Sequence, residues 1–394
     1  MSHQELSKRS KQLIKQLFRE YYKGIELNLP SNFIMREFAF QTFDSETYIR
    51  HKAFRSTDEL RDYMVKIVPK HAYFSSAIYE DPAAEDMDSK VWLGADLIFD
   101  IDADHVPGCG DSSINVCLGR CLDYDELGMC RECEGNYVEI THITIECLEK
   151  AKEHLINLID VLVNDFGFSK DRVKVYFSGH RGFHVHVECK GKWLKLDSSE
   201  RREIVDYIKG VGIDVYILNL SIRRKGKGRK KTVIEVPPRI IDGGWRRRVA
   251  KEILNLGIIE GELIDFIKGV KLLTRKPEYP PLDYSELIRG LGIAIDEKVT
   301  IDTKRLIRLP NSINGKAGFK VVSIDIDKLS DFILDHTLSP FHNYLMKVYI
   351  PFSFPQIRVI DVDIKGVKGE KLVLPGSVAM YLALKGLAYI LDIS

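Results

Sequence analysis

Four cysteines set the tightest constraint on how this chain can fold. Cys117-x3-Cys121 is followed, after a short loop, by Cys130-x2-Cys133, the spacing of a closed tetrahedral zinc site made from two knuckles. Thiolates suit a soft or borderline ion, and two chelating turns fix four sulfurs at little entropic cost. A closed four-sulfur site leaves no open position, so its expected role is structural. Cys109 is a rival ligand able to replace one of the four, whereas Cys147 and Cys189 fall on an expected helix and strand and read as core packing. Seven cysteines is an odd number, and their crowding argues for metal ligation over disulfides in an intracellular chain.

The segment leading into this cluster is Leu97-Ile98-Phe99-Asp100-Ile101-Asp102. Strand geometry sends successive side chains to opposite faces, so Asp100 and Asp102 emerge together, away from Leu97, Phe99 and Ile101. Two close carboxylates repel each other and gain most when a hard cation sits between them. Asp325-Ile326-Asp327 and Asp361-Val362-Asp363 repeat the pattern, and acidic residues on a solvated strand face account for most such pairs. Position favours the first pair, which alone lies between a strongly apolar strand and a metal-type cysteine cluster.

Periodicity along the chain mixes helices and strands. Leu13, Ile14, Leu17, Phe18 and Tyr21 form an amphipathic helical stripe within Leu6 to Tyr22. Asp58 to Val68 reads as a helix capped by Ser56 or Thr57, and Ile145 to Leu162 as a longer one ending near Gly167. Strands are expected around Phe38, Tyr48, Tyr73 to Tyr79, Trp92 to Ile101, Lys174 to Phe177 and Phe183 to Cys189. Asp197 is a good N-cap for a mostly helical stretch to about Arg289, interrupted by the basic run Arg223 to Lys231 and by Pro280-Pro281. Strand character returns at Val299-Thr300-Ile301 and later, and the chain is expected to close on a helix from Ser377 to Leu391. Without regular βαβ alternation this is an α+β pattern. The expected division is a core in two parts, 1–205 and 291–394, split by a helical insertion at 206–290, with a knuckle module at about 105–135.

Charge and composition bound the partners. Hydrophobic content of 45% and charged content of 29% suit an ordinary globular protein, and a net charge of +1 means that local patches must hold any polyanion. The polar amino terminus is no signal peptide and no apolar run approaches bilayer length, so a cytoplasmic protein without membrane contact is expected. Ser178-Gly179-His180-Arg181-Gly182-Phe183-His184 puts a hydroxyl, a guanidinium, two imidazoles and two glycines in one turn. Glycines admit close backbone approach, and the Arg181 fork matches phosphate oxygens. His186, which shares a strand face with His184, reads as a packed or surface residue. The segment Thr303 to Ser312 adds cations, with Lys316 beyond; Lys304 reads as solvated surface. The run Arg223 to Lys231 is either a solvated loop or a contact to a nucleic-acid backbone.

In order, Arg36-Glu37-Phe38-Ala39-Phe40, Tyr73 to Pro82, Leu93 to Asp102, the knuckles, the Ser-Gly-x-Arg-Gly-x-His turn, Leu194-Lys195-Leu196-Asp197-Ser198 and Asp296 through Gly318 resemble the small, catalytic subunit of archaeal and eukaryotic DNA primase. The resemblance implies a mixed α/β primase core. It places the family's metal carboxylates on Asp100, Asp102 and Asp296, for Mg²⁺ or Mn²⁺, with structural Zn²⁺ on the cysteines. It places nucleotide-triphosphate contacts on Ser178, Arg181, His184, Arg308, Asn314 and Lys316. Asn314 stands where the family usually has histidine; it can donate to a phosphate oxygen but cannot carry positive charge.

The implied activity is synthesis of short primers on a single-stranded DNA template from NTPs or dNTPs. The implied partner is a primase large subunit, and the implied location is the nucleoid. Two other functions remain open from sequence: a primase-like polymerase for lesion bypass or end-filling, and a non-catalytic zinc-containing nucleic-acid-binding module.

Overall fold

In a computed structural model the described residues are 2–30, 32–109, 113–125, 128–131, 133, 137–142, 144–218, 220–225, 231–271 and 283–394. The amphipathic stripe forms a helix, His3–Lys23, closed at its start by a reciprocal capping box of Ser2 and Glu5. Ile14, Leu17, Phe18 and Tyr22 are its buried side.

Two four-stranded antiparallel sheets carry much of the rest of the core. One runs Leu306–Arg308, Pro69–Ser75, Phe38–Thr42, Tyr48–Lys52, and the other Val322–Ile324, Val173–Phe177, Gly182–Val187, Leu97–Asp102. One hydrophobic cluster joins them, with Phe38, Phe40 and Phe74 from the first and Phe99, Ile101, Val175 and Val185 from the second. The Ile145–Asn164 helix packs its expected stripe, Leu148, Ala151, Leu155, Leu158 and Leu162, against the second sheet. Segments 291–394 thus supply an edge strand to each sheet, Leu306–Arg308 and Val322–Ile324, although they lie far from their partners in sequence.

A buried ionic network pins the sheets together. Arg36 pairs with Asp96 and donates to the carbonyls of Ser75 and Ser76 at 2.8 and 2.9 Å. The same carboxylate bonds His186 Nε2 at 2.7 Å and accepts the Cys189 amide at 2.8 Å. Burial works to raise the Asp96 pKa, but the His186 bond and the charges of His186 and Arg36 outweigh it and hold the carboxyl well below the usual range. Beside it Glu37 takes Lys90 at 2.9 Å and Arg50 at 2.7 Å. His186 is therefore a satisfied core residue, as expected.

Three expectations need correction. Val299-Thr300-Ile301 is not a strand but the end of a short helix, Glu297–Ile301, because the Asp296 side chain accepts the Lys298 amide and turns the chain. The closing helix stops at Leu384: Gly386 adopts a left-handed φ of 77°, and Tyr389–Ile393 then pairs with Leu345–Tyr349 as a strand. The stretch read as mostly helical also carries a hairpin, Leu220–Lys225 with Lys231–Val236, so both ends of the basic run lie on strands. The middle of that run, 226–230, falls outside the described residues.

The helices of that stretch, Gly244–Asn255, Glu262–Ile267 and Tyr284–Leu291, share a second core of Trp245, Val249, Ile253, Phe266 and Ile288. No helix among the described residues is long and apolar enough to cross a membrane.

Candidate active site

The carboxylates emerge as the alternation predicts: along Leu97–Asp102 only Asp100 and Asp102 are not fully buried. Gly182–Val187 lies antiparallel beside them, with Gly182 opposite Asp102 and His184 opposite Asp100. This register brings the glycine turn to the carboxylate end of the strand. The turn closes with Ser178 N–H donating to the Gly182 carbonyl at 2.9 Å. A Cβ on Gly182 would collide with the Ile101 carbonyl and the Asp102 carboxylate, so glycine is required for this approach.

These elements wall a cavity of about 500 Å³. Asp100, Asp102, Ser178, Arg181, His184, Arg308, Asn314 and Lys316 all line it, together with Tyr48, Arg50, Tyr73, His180, Asp302, Lys304 and Arg305. Among the sequence-derived site residues Asp296 stands apart. Its amide donates to the Asp100 carbonyl at 2.9 Å, and its side chain caps its own helix. It lines a second cavity of about 440 Å³, with His105, Lys209 and Arg289.

The electrostatics fit a cation between the carboxylates. Burial, then the Asp102 charge, pushes the Asp100 pKa up to about 8, and Asp296 adds to the shift while Arg308 opposes it. Asp102 is raised too, by burial first, with Arg181 opposing and Asp104 reinforcing. Asp104 Oδ1 is buried without a hydrogen-bond partner. Two carboxylates resisting ionisation beside an unsatisfied acceptor form a hard-oxygen donor set that a divalent ion would satisfy.

Cations and neutral imidazoles face them. Arg181 Nη2 lies 2.7 Å from Asp104 and its Nε 3.7 Å from Asp102. Arg308 donates to His71 Nδ1 at 2.9 Å and sits over the Tyr73 ring. Burial, followed by the Arg308 charge, pushes His184 down to about 3, so it is neutral at pH 7. Lys316 is lowered by burial and by Arg308 and Arg181. Asn314 is fully buried and its amide is already engaged: Nδ2 donates to the Ser178 carbonyl at 2.9 Å and Oδ1 accepts the Lys316 amide at 3.0 Å.

Sequence reasoning missed His71, Asp104 and Lys385 and gave no role to His180 of the glycine turn; Lys304 is exposed, as expected of solvated surface, and also lines the cavity. His180, Lys304 and Arg305 stand in motifs legible in the sequence; His71, Asp104 and Lys385 join the site through contacts that no local motif announces.

Cys117, Cys121, Cys130 and Cys133 form a separate buried cluster with Tyr124 against it. Their sulfurs lie as two bonded pairs, Cys117–Cys133 and Cys121–Cys130, and those of Cys117, Cys130 and Cys133 lie within 4.8 Å of one another. The expectation for Cys109 and Cys147 is corrected. Cys109 is bonded to Cys147 rather than joining the four, so it is no rival ligand and Cys147 is no mere packing residue. The reason is tertiary: the turn after Asp102 packs against the start of the Ile145–Asn164 helix. Cys189 is free and buried.

Comparison with known proteins decides the family. A family model for the DNA primase small subunit matches residues 99–326. The chain is also 38% identical to the DNA primase small subunit PriS of Hyperthermus butylicus, over 96% of this chain and 97% of that one. This chain belongs to the DNA primase small subunit family. PriS of Saccharolobus islandicus strain M.14.25 is 38% identical and that of Sulfolobus acidocaldarius 36%, each over 95% of this chain and 94% of the relative. The family match begins within the carboxylate strand, at Phe99, and ends beyond the Asn314–Lys316 segment, so the carboxylate pair, the glycine turn and the Arg308–Lys316 segment lie inside it, while Tyr48, Arg50 and Tyr73 line the cavity from outside it.

Proposed function

We propose that the chain is the catalytic subunit of a DNA primase, joining nucleotides from nucleoside triphosphates into short primers on single-stranded DNA. The observation that carries this reading is one cavity in which paired carboxylates, Asp100 and Asp102, face Arg181, Arg308 and Lys316. Phosphoryl transfer needs little covalent chemistry from the protein but needs opposite charges held at fixed places.

Asp100 and Asp102 would hold divalent ions such as Mg²⁺ or Mn²⁺, with Asp296 the third carboxylate of the set. Bound there, such ions would activate a 3′-hydroxyl and neutralise charge developing on the α-phosphate. Lys316, Arg308 and the Ser178–His184 turn would hold the triphosphate. Arg181 exchanges Asp104 for phosphate oxygens, to which its planar fork is equally suited. Neutral His184 donates or accepts without adding charge beside Asp100. Asn314 serves as the tie between the Ser178 and Lys316 segments, a holding role that needs no positive charge. A large-subunit partner and a nucleoid location follow from the family resemblance, and the two-part core with its insertion from the change of pattern along the chain.

The test is incorporation of labelled nucleotides on an unprimed single-stranded template by the parent chain and by the double variant Asp100→Ala, Asp102→Ala. Undiminished incorporation by the double variant overturns the reading. Incorporation by the parent only from an added primer would assign it to gap or end filling instead.

For the cysteine cluster we propose a single structural Zn²⁺ on Cys117, Cys121, Cys130 and Cys133. Reduced to thiolates, the four buried sulfurs on two turns match its donor preference. Purified under reducing conditions, the chain should carry about one zinc per molecule by elemental analysis. Cys130→Ser with Cys133→Ser should abolish that content and lower the melting temperature. Metal-free parent protein with two disulfides resistant to alkylation would sink the assignment.

A further inference from the structure

We propose that Lys385, just past the Gly376–Leu384 helix, belongs to the triphosphate-holding machinery as a positioning residue: it holds the His180 ring, and with it the Ser178–Gly182 turn, in the form that receives a polyphosphate. The proposal rests on the primase reading above and extends it to a part of the chain beyond the family match, which ends at Ile326.

Three observations converge on it. Lys385 Nζ lies 2.9 Å from His180 Nε2. An ammonium only donates, so Nε2 must accept and the ring proton must sit on Nδ1, which fixes the tautomer of a residue lining the cavity. The lysine is itself held: its amide donates to the Tyr381 carbonyl at 3.0 Å, and its Nζ lies 5.6 Å from the centre of the Tyr381 ring. Tyr381 is buried and its hydroxyl is bonded to His142 at 2.9 Å. The Gly376–Leu384 helix thereby braces the turn.

Charge supplies the third observation. Lys385 makes no ion pair among the described residues and is half-buried, with the charges of Lys316 and Arg181 near enough to bear on it. Burial first, then Lys316 and Arg181, pushes Lys385 down to about 8. A half-buried cation crowded by like charges is costly, and the cost is recovered when an anion of several charges arrives. Among the groups of a nucleotide only the polyphosphate carries that charge density.

The experiment compares Lys385→Met, which keeps the stem on Tyr381, with Lys385→Arg in the full chain with its metal ions. Kinetics of ATP incorporation and competitive inhibition by inorganic tripolyphosphate are measured for each. Lys385→Met should raise KM for ATP and Ki for tripolyphosphate about tenfold, with kcat falling far less and the melting temperature holding; Lys385→Arg should recover most of both. Unchanged KM and Ki in Lys385→Met, or a loss of kcat and melting temperature without a change in KM, overturns the proposal. Arg181→Ala is run in parallel. If it raises both constants and Lys385→Met does not, the Lys385 assignment falls and the primase reading stands. If neither variant moves either constant and the double aspartate variant still incorporates, the primase reading falls and takes Lys385 with it.

Discussion

Replacing Asp100 and Asp102 together by alanine is expected to lower nucleotide incorporation about a thousandfold or more, with the fold intact. A metal pair supplies several kcal/mol of transition-state stabilisation, and without its ligands Lys316 also loses the Asp102 counter-charge. Stability should move the other way. Asp100 is raised in the folded chain by burial and by Asp102, so the metal-free parent prefers its protonated form. The sign follows from proton linkage. The group is no burden below its unfolded pKa of about 4, and its stability contribution is lost as pH rises toward about 8.

The metal-free double variant should therefore gain on the parent in melting temperature as pH rises from 5 to 8. Mg²⁺ or Mn²⁺ should stabilise the parent most at the upper end, where the fewest protons have to be displaced. The variant should show no such metal response. Equal melting curves for parent and variant at every pH, with and without metal, would contradict this account of the pair.

The second large effect lies beneath the site. Asp96→Ala should destabilise the chain by about 3–5 kcal/mol, because it leaves the Arg36 guanidinium and the His186 ring buried without their shared carboxylate. The Cys189 amide loses its acceptor as well. Asp96 immediately precedes the carboxylate strand, and its own amide donates to the Ser76 carbonyl at 3.0 Å. Thermal or denaturant unfolding measures the loss. Removing both partners, as in Arg36→Met with Asp96→Leu, should cost clearly less than Asp96→Ala alone, since no buried charge is then stranded. A single variant as stable as the parent would show that the network contributes nothing. The folded-state pKa of Asp96 is depressed, so this stability is present above about pH 4 and is lost as pH falls below it.

Local pattern was enough where a feature depends on nearest neighbours along the chain. The alternation in Leu97–Asp102 put both carboxylates on one face, Asp197 and Ser56 capped the helices they were expected to cap, and the glycine turn joined two strands. It failed where one short segment suits two conformations. Val299 and Thr300 are β-branched, yet they are buried in a helical turn started by Asp296. Tyr389–Ile393 became a strand only because Leu345–Tyr349 offered it an edge.

The sequence by itself determined the carboxylate pair, the four-cysteine spacing and the glycine turn, because each depends on strand period, chelate spacing or backbone freedom within a few residues. Tertiary structure decided which other groups share their space. It sent Cys109 to Cys147, set His71 against Arg308, engaged the Asn314 amide with Ser178 and Lys316, and placed Lys385 on His180. These are contacts between residues distant along the chain. Their pairing is set by how sheets and helices pack around one core, which no local periodicity encodes.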